Sequence, residues 1–326
     1  MHEFFKKQPK VGVTNFQKHL KRNFGKDYKG VSYKNLQILG KQQQSIKNKL
    51  FIVKVVLAVL VGIVVKISFS KHDFSLPLYA GTLALNAYIL LRNYITKDIK
   101  SKFKDEVVIK VIEDIDKNLY FSKDEFMDKE EFALTGIYDT FNHNVSHYSG
   151  NDLILGERDG VKFKMCDIHL QEIRGSGKSS RTVNIFHGLV FTAEFNKFFT
   201  SHTFIISSAY ANYQGERIQT DNSQFNKKFN VYTNDRINAF YILSPSFMER
   251  FLRISKRFKC DINAVFFLNK IYIYIDNNKD NFELELDMDL TQITKIFEDI
   301  KFEFESFFGI IDDLKLNSKI FKTYRN

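Results

Sequence analysis

The sequence predicts an α+β protein, in which a transmembrane helical hairpin precedes a cytosolic domain of antiparallel strands with flanking helices. Two apolar stretches lie close together in the first third of the 326-residue chain. After residue 148 apolar and polar residues alternate with a period of two, and helical spacing flanks this region on both sides. Antiparallel strands with helices at both ends are typical of the α+β class.

Residues 1–49 form a basic N-terminal arm. The chain has 48 Lys and Arg against 38 Asp and Glu, a formal net charge of +10. Twelve basic and two acidic residues lie in this arm, so it holds the whole excess and the rest of the chain balances. The simplest role is a solvated tail that sets membrane topology. Contact with anionic lipid is the next hypothesis. Nucleic acid is the least favoured partner, because neither zinc-finger spacing nor an RNP-like aromatic motif accompanies the charge.

Residues 50–92 are predicted to span a lipid bilayer twice. The first stretch covers residues 50–69, with Lys54 and Lys66 near its ends, where lysine stems can reach the headgroups. The second covers residues 74–91 and contains Pro77 and Asn86. Eighteen helical residues rise about 27 Å, close to the thickness of a hydrocarbon core. The alternative is a pair of buried core helices, but neither stretch has an amphipathic stripe.

Both termini are predicted to be cytoplasmic. Lys and Arg are abundant before the first stretch and after the second, whereas the short turn between them offers Lys71 alone. Cytoplasmic loops are enriched in Lys and Arg, which places the turn on the far side of the membrane. Cys166 and Cys260 would then lie in a reducing compartment and remain thiols.

Residues 93–148 are interpreted as a helical connector and residues 149–326 as the α+β domain. Apolar residues recur every four positions from residue 99 to 115, which indicates one face of a helix that continues from the second span. Asp128 and Glu131 have the spacing of a capping box that opens a short helix towards Ile137.

The pattern within the domain predicts a series of strands and helices. The apolar residues are odd-numbered through Met165 and even-numbered from Cys166, which predicts a β-bulge near Met165. Asn269-Lys270 is predicted to join the strands of a hairpin, and Ser244-Pro245 to begin a helix. The other predicted elements are a turn-rich loop at 174–180, strands at 183–195, 203–207, 229–232 and 282–287, a short helix from Asn234 or Asp235, and a long helix at 293–311.

Several motifs resemble a bacterial family known as domain of unknown function 3137. They are the run 186–191 leading to Phe195-Asn196-Lys197, the stretch 225–232, Asp235, and the block 241–248. The resemblance covers roughly residues 100–300. It implies a bacterial membrane-anchored protein with a cytosolic domain, and it supplies no activity, cofactor or catalytic residue. Together with the two predicted spans, it leads us to expect a multi-pass protein of a bacterial inner membrane.

No catalytic, cofactor-binding or metal-binding residue is assigned from the sequence. Residues 174–180 end in Gly-Lys-Ser like a phosphate-binding loop, but the motif requires glycine at position 172, which is Glu172 here. His143 and His147 have helical metal spacing without a third ligand nearby. His187 is expected to be a hydrogen-bonded core histidine.

The leading functional hypothesis is a non-enzymatic module at the inner membrane surface that binds a protein or lipid partner. It rests on the membrane anchor and on the lack of a catalytic constellation. The alternative is a membrane-associated enzyme whose site is assembled from residues distant in sequence. That alternative requires a concave pocket with ionisable groups of shifted pKa.

Overall fold

A computed structural model describes residues 30–71, 75–138, 145–207, 213, 215–290 and 292–321. The described residues group into two compact units. One lies within Met1–Asp114 and Glu283–Asp299, and the other within Ile115–Phe282 and Ile300–Asn326.

The first unit is built on two long helices. Helix α1 covers Tyr33–Lys71 and helix α2 covers Ser75–Phe103, and the two contact each other. A π-helical turn, Lys104–Val108, continues α2 into α3, Ile109–Ile115. Ile99, Phe103, Val107 and Val111 are buried. This confirms the predicted helix and the predicted apolar face.

The second unit contains a seven-stranded sheet in which every pairing is antiparallel. The spatial order is β1-β2-β3-β4-β6-β5, and β7 pairs with β4. The predicted α+β class is therefore confirmed. The strands are β1 Tyr120–Ser122, β2 Val145–Arg158, β3 Val161–Arg174, β4 Arg181–Ile206, β5 Glu216–Ile218, β6 Asn230–Thr233 and β7 Asp261–Asp276.

Five helices accompany the strands in chain order: α4 Lys129–Leu134, α5 Ser223–Lys228, α6 Arg236–Ile242, α7 Pro245–Phe258 and α8 Ile293–Phe321. Asp235 caps α6 by accepting from the Asn238 amide, and Ser244 caps α7 by accepting from Phe247. These two starts were predicted and are confirmed. The predicted capping box at α4 is wrong: Asp128 makes no side-chain cap, and the Glu131 carboxylate accepts from lysines instead.

The predicted hairpin at Asn269-Lys270 is also wrong. Residues 261–276 form one strand, because both halves have a partner in the same long strand β4. Residues 264–266 pair with one part of β4 and residues 270–275 with another. Between them β4 contains extra residues, and Leu268 takes a left-handed conformation with φ 53°.

The predicted strand at 282–287 is absent, since residues 277–292 contain turns and irregular backbone in their described part. Phe282 and Leu284 are buried as the alternation suggested. Their neighbour Glu283, however, is bound by two lysines of the first unit, Lys100 and Lys104. The alternation thus marks burial and ion pairing in an irregular segment.

The predicted bulge lies opposite Cys166, but the extra residue is in the neighbouring strand. Asn151 pairs with Asp167 and Ile154 pairs with Met165, so two residues of β2 face one of β3. The change of phase in β3 has a different cause. Near the start of β3 the face that carries the odd-numbered residues is covered, because Phe163 contacts Phe308 of α8. Further along the strand the face that carries the even-numbered residues is covered, because Cys166, Ile168 and Leu170 join the hydrophobic core around Phe132.

Gly188 of β4 has no space for a side chain. A Cβ atom there would lie 2.1 Å from the Ile275 carbonyl oxygen and 2.9 Å from Asn277 Oδ1. We expect Gly188→Ala to lower the free energy of unfolding by about 1–3 kcal/mol, because the clash is with backbone and must move β7. Urea denaturation in detergent measures the change.

Gly40→Ala is the matched control, because the position is helical and has no atom within 4 Å of the added methyl group. It should be neutral or stabilising by up to about 1 kcal/mol. Equal destabilisation by both substitutions would contradict the close approach of β4 and β7 at Gly188.

Candidate membrane anchor and candidate ligand pockets

Helix α1 is the one described helix that is long and apolar enough to cross a membrane. The segment Tyr33–Ser70 contains an 18-residue window of mean hydropathy 2.8, of which 6% is buried. Phe51 is 67% exposed and Leu60 is 53% exposed. A soluble core helix of this hydropathy would bury these side chains, so the exposure distinguishes α1 from such a helix.

The predicted second span corresponds to α2, which does not reach the same hydropathy over its described residues. Pro77, Asn86 and three tyrosines interrupt its aliphatic residues and lower its mean hydropathy. It nevertheless contacts α1, and the Lys54 ammonium lies 5.3 Å from the centre of the Tyr88 ring. The structure therefore supports one apolar helix of membrane-spanning length with a second helix packed along it.

A groove of about 580 Å³ lies in the first unit, beside the part of α1 that precedes its apolar segment. Gln43 fixes one wall, because its Nε2 donates to the carbonyl oxygens of Glu285 at 3.2 Å and Met288 at 3.0 Å. Lys41 and Lys47 line one side of the groove, and Asp287 and Asp289 line the other.

A buried ion pair attaches the returning segment to α2 and the π-helical turn. The Lys104 ammonium lies 2.6 Å from Glu283 Oε1, and the Lys100 ammonium lies 2.9 Å from Oε2. Lys104 is almost fully buried. A lysine in such a position requires a close carboxylate, because burying an uncompensated charge is costly.

A smaller pocket of about 240 Å³ lies on the sheet of the second unit. Four strands line it: β2 through Leu155 and Gly156, β3 through Lys162, Phe163 and Lys164, β4 through Thr192 and Glu194, and β7 through Lys270. Leu155 pairs with Lys164, and Lys164 with Thr192, so these three side chains form one row across the strands. We call this the sheet pocket.

Glu131 of α4 holds two lysines of the sheet pocket with one carboxylate. Its Oε2 accepts from Lys164 Nζ at 2.5 Å, and its Oε1 accepts from Lys270 Nζ at 3.0 Å. Burial alone would raise the pKa of Glu131, but the two lysine hydrogen bonds and their charges lower it below the ordinary value. The carboxylate therefore stays ionised at neutral pH.

Three histidines form a column across β2, β3 and β4. The rings of His169 and His187 stack with centroids 4.3 Å apart, and the His147 ring lies 6.3 Å from that of His169. His187 contacts Asn278 Oδ1 through Nδ1 at 3.3 Å and Asp280 Oδ1 through Nε2 at 3.2 Å. It is hydrogen-bonded as expected, but it is partly exposed and does not lie in the core.

A buried carboxyl group fastens the chain after β7 to β3. Asp167 accepts from the Asn281 backbone amide at 2.7 Å and from Asn281 Nδ2 at 2.6 Å. Complete burial raises the pKa of Asp167 well above its ordinary value, even though both hydrogen bonds favour the charged form. The contact is structural, since the group has no access to solvent.

The other residues singled out in the sequence are dispersed. Residues 174–180 form the loop between β3 and β4, and the chain continues into a strand, where a phosphate-binding loop requires a helix. His143 lies outside the described residues. Among the described residues no group of three His, Cys, Asp or Glu side chains has the arrangement of a metal site.

Both cysteines are free thiols, and burial raises the pKa of Cys166 to about 12 and that of Cys260 to about 11.

Sequence reasoning missed the sheet pocket. Its charged residues come from one helix and three strands between positions 131 and 270, and no spacing rule links them. The one local signal was the placement of Lys162 and Lys164 on the polar side of an alternating segment. The pocket contains ionisable groups, as the alternative enzyme hypothesis requires, and Glu131, whose pKa is lowered, lies beside it. The lining itself consists of lysine, glutamate, threonine and apolar residues, a set suited to binding an anion.

The resemblance found in the sequence is confirmed by comparison with known families. A family model described as a protein of unknown function (DUF3137) matches residues 184–316. This match covers β4 to β7 and most of α8, and it begins and ends later in the chain than the sequence motifs suggested. It concerns a domain whose function is unknown.

Among solved structures, the mycobacterial trehalose monomycolate transport factor A, TtfA, is similar at 7% sequence identity with a TM-score of 0.29. The similarity covers 55% of this chain and 86% of that protein. A TM-score at this level establishes neither a shared fold nor a shared function. No curated protein matches the chain.

We predict that Glu283→Ala lowers the free energy of unfolding by about 3–5 kcal/mol, because it leaves the Lys104 ammonium buried without this carboxylate. The double variant Lys104→Met/Glu283→Leu should recover much of the loss, since it removes both charges. Urea denaturation in detergent measures both.

Asp287→Ala, an exposed acidic residue four positions along the same segment, should change stability by no more than about 0.5 kcal/mol. If Glu283→Ala and Asp287→Ala had the same effect, the buried pair would not be holding this segment.

We also predict that Glu131 contributes stability that is lost in acid. Its pKa is lowered in the folded chain, so the contribution is complete above the unfolded value of about 4.3 and disappears as the pH falls through the folded value. The difference in the free energy of unfolding between the wild type and Glu131→Gln should therefore shrink as the pH falls from about 5 to about 2. Leu134→Ala, at an exposed position of the same helix, removes no ionisable group and should show a difference that does not change in this range.

Proposed function

We propose that this chain is a membrane-anchored, non-enzymatic module of a bacterial inner membrane. Residues 50–92 lie in the bilayer as a helical pair, and the α+β domain binds a protein or lipid partner at the cytoplasmic surface. The observation that carries the proposal is the exposure of the apolar segment of α1, where 6% of the most apolar window is buried. Water is a poor solvent for that surface, and lipid is the environment that it fits.

The surface of α2 supports a second pass through the bilayer. Leu78, Leu83 and Leu90 are each 70–72% exposed. A helix that packs on α1 and leaves leucines uncovered on its outer side has the surface expected of a lipid-facing helix. The hydroxyl groups of Thr82 and Thr96 donate hydrogen bonds to carbonyl oxygens of their own helix. These polar groups are therefore satisfied without water.

The charge distribution supports the orientation. The described lysines that flank the apolar segments lie on two sides. Lys47 and Lys49 precede the apolar segment of α1, and Lys97, Lys100 and Lys102 follow the apolar segment of α2. Both flanks are thus basic, as cytoplasmic flanks are. The basic arm of residues 1–49 then adjoins an anionic leaflet, where each nearby basic residue contributes about 1 kcal/mol of attraction.

Extraction of membranes with alkaline carbonate tests the anchor. The wild-type chain should stay in the pellet, whereas Val59→Asp/Ile63→Asp should move to the supernatant or be degraded, because each central carboxylate costs about 3 kcal/mol. Ile237→Asp/Phe240→Asp is the matched control, since it adds the same charges to an exposed apolar pair of α6 in the domain. Reporter fusions after Arg92 and after Asn326 should both report cytoplasm.

The proposal fails if the wild-type chain is released by carbonate together with peripheral proteins. If a reporter fused after Arg92 lay outside the cytoplasm, the chain would cross the membrane once and the α+β domain would lie on the opposite side of the membrane. Capture of no reproducible protein or lipid with the detergent-solubilised wild type, under several growth conditions, would contradict the interaction role while leaving the anchor intact.

A further inference from the structure

The sheet pocket has a buried hydroxyl group without a partner. Thr192 is 3% exposed, and its Oγ1 makes no hydrogen bond with any described residue. Thr192 lines the pocket and lies beside Lys164 in the register of β3 and β4. A buried hydroxyl that is left unsatisfied is destabilising, so such a group in a pocket lining points to a ligand that completes its hydrogen bond.

The pocket also has an excess of positive charge. Lys162, Lys164 and Lys270 contribute three positive charges, while Glu131 and Glu194 contribute two negative ones. Glu131 is shared between Lys164 and Lys270, and Lys162 is exposed and makes no ion pair with any described residue. An ammonium group is a strong donor to oxyanions, and one that is shared or unpaired keeps donor capacity for another acceptor.

From this arrangement we infer that the sheet pocket is a binding site for a phosphate monoester group. Donors converge on it from three strands: the Lys162 and Lys164 ammonium groups, the Thr192 hydroxyl and the Lys270 ammonium. A phosphate offers three or more acceptor oxygens in a tetrahedral arrangement, whereas a carboxylate offers two in one plane. Leu155, which lies in the same row as Lys164 and Thr192, supplies an apolar wall for the group that the phosphate esterifies.

The size of the pocket limits the ligand. Its volume of about 240 Å³ is below the range of sites for drug-sized molecules. The pocket therefore holds a phosphate with a small substituent, whether this belongs to a soluble phosphate monoester or to the head of phosphatidic acid. This site is independent of the membrane anchor proposed above.

Thermal unfolding of the full chain in detergent tests the site, with inorganic phosphate as the probe at constant pH and ionic strength. The wild type should show a saturable rise in Tm. Thr192→Val should keep or raise the Tm without phosphate, because it removes an unsatisfied hydroxyl, and should raise the half-saturating concentration about tenfold, because it removes one hydrogen bond to a charged ligand.

Three further variants separate binding from folding. Lys162→Gln should weaken binding severalfold, and Glu131→Gln should tighten it, because the competing carboxylate is removed. Lys256→Gln, an exposed lysine of α7 outside the pocket, should behave as the wild type. The inference is overturned if the wild type shows no saturable shift, or if Thr192→Val and Lys162→Gln bind phosphate as the wild type does.

Nanodiscs distinguish the two sources of the phosphate group. Binding of glycerol 3-phosphate to the wild type in phosphatidylcholine nanodiscs, weakened by Thr192→Val, supports a soluble ligand. A Thr192-dependent rise in Tm with phosphatidic acid in the nanodisc, and none with glycerol 3-phosphate, supports a lipid ligand. Failure of both arms overturns the site even if carbonate extraction confirms the anchor.

Discussion

Pairing along strand β4 is the constraint on which the second unit depends. This 26-residue strand contacts β3 through its first part, β6 through its last part, and β7 along much of its length. An isolated strand of this length would expose many unpaired backbone groups. Three neighbours share its two edges and pair its backbone over residues 181–194 and 203–206. The aromatic side chains of its first half are buried between α8 on one face and the Phe132 core on the other. The sheet pocket lies on the same strand, near Glu194, where the regular pairing with β7 is interrupted.

The first unit solves a different physical problem. A helix as apolar and exposed as the segment of α1 after residue 50 has no stable place in water, so its solvent has to be lipid or another chain. The part of α1 before this segment is polar and contacts the segment that returns after residue 282 through Gln43. One helix thus combines an exposed apolar surface with a polar surface that contacts protein, and the change occurs within a turn of Leu50.

The sequence was informative where a single element carries its own signal. The caps at Asp235 and Ser244, the face of α2 and α3, and the alternation in β3 and β4 depend on neighbours within a few residues, so periodicity and capping rules identified them. It failed where a distant element decides the structure. Residues 264–275 have the pattern of a hairpin until β4 offers both halves one continuous partner. Glu131 fits a capping box until two lysines from β3 and β7 compete for its carboxylate. The sheet pocket combines such distant residues, and Thr192 in particular has no sequence feature that marks an unsatisfied hydroxyl.

The first unit is discontinuous in the chain, because residues 283–299 belong to it although the whole sheet is encoded before them. During synthesis from the N-terminus, α1 and α2 emerge well before Glu283 exists. Until then Lys104 lacks the carboxylate that lies 2.6 Å away in the finished protein. Completion of the first unit therefore has to follow synthesis of strands β1 to β7, and a chain cut short before residue 283 contains α1 and α2 without the carboxylate that pairs with Lys100 and Lys104. The order of translation makes this ion pair a late step, one that can form only after all seven described strands have been made.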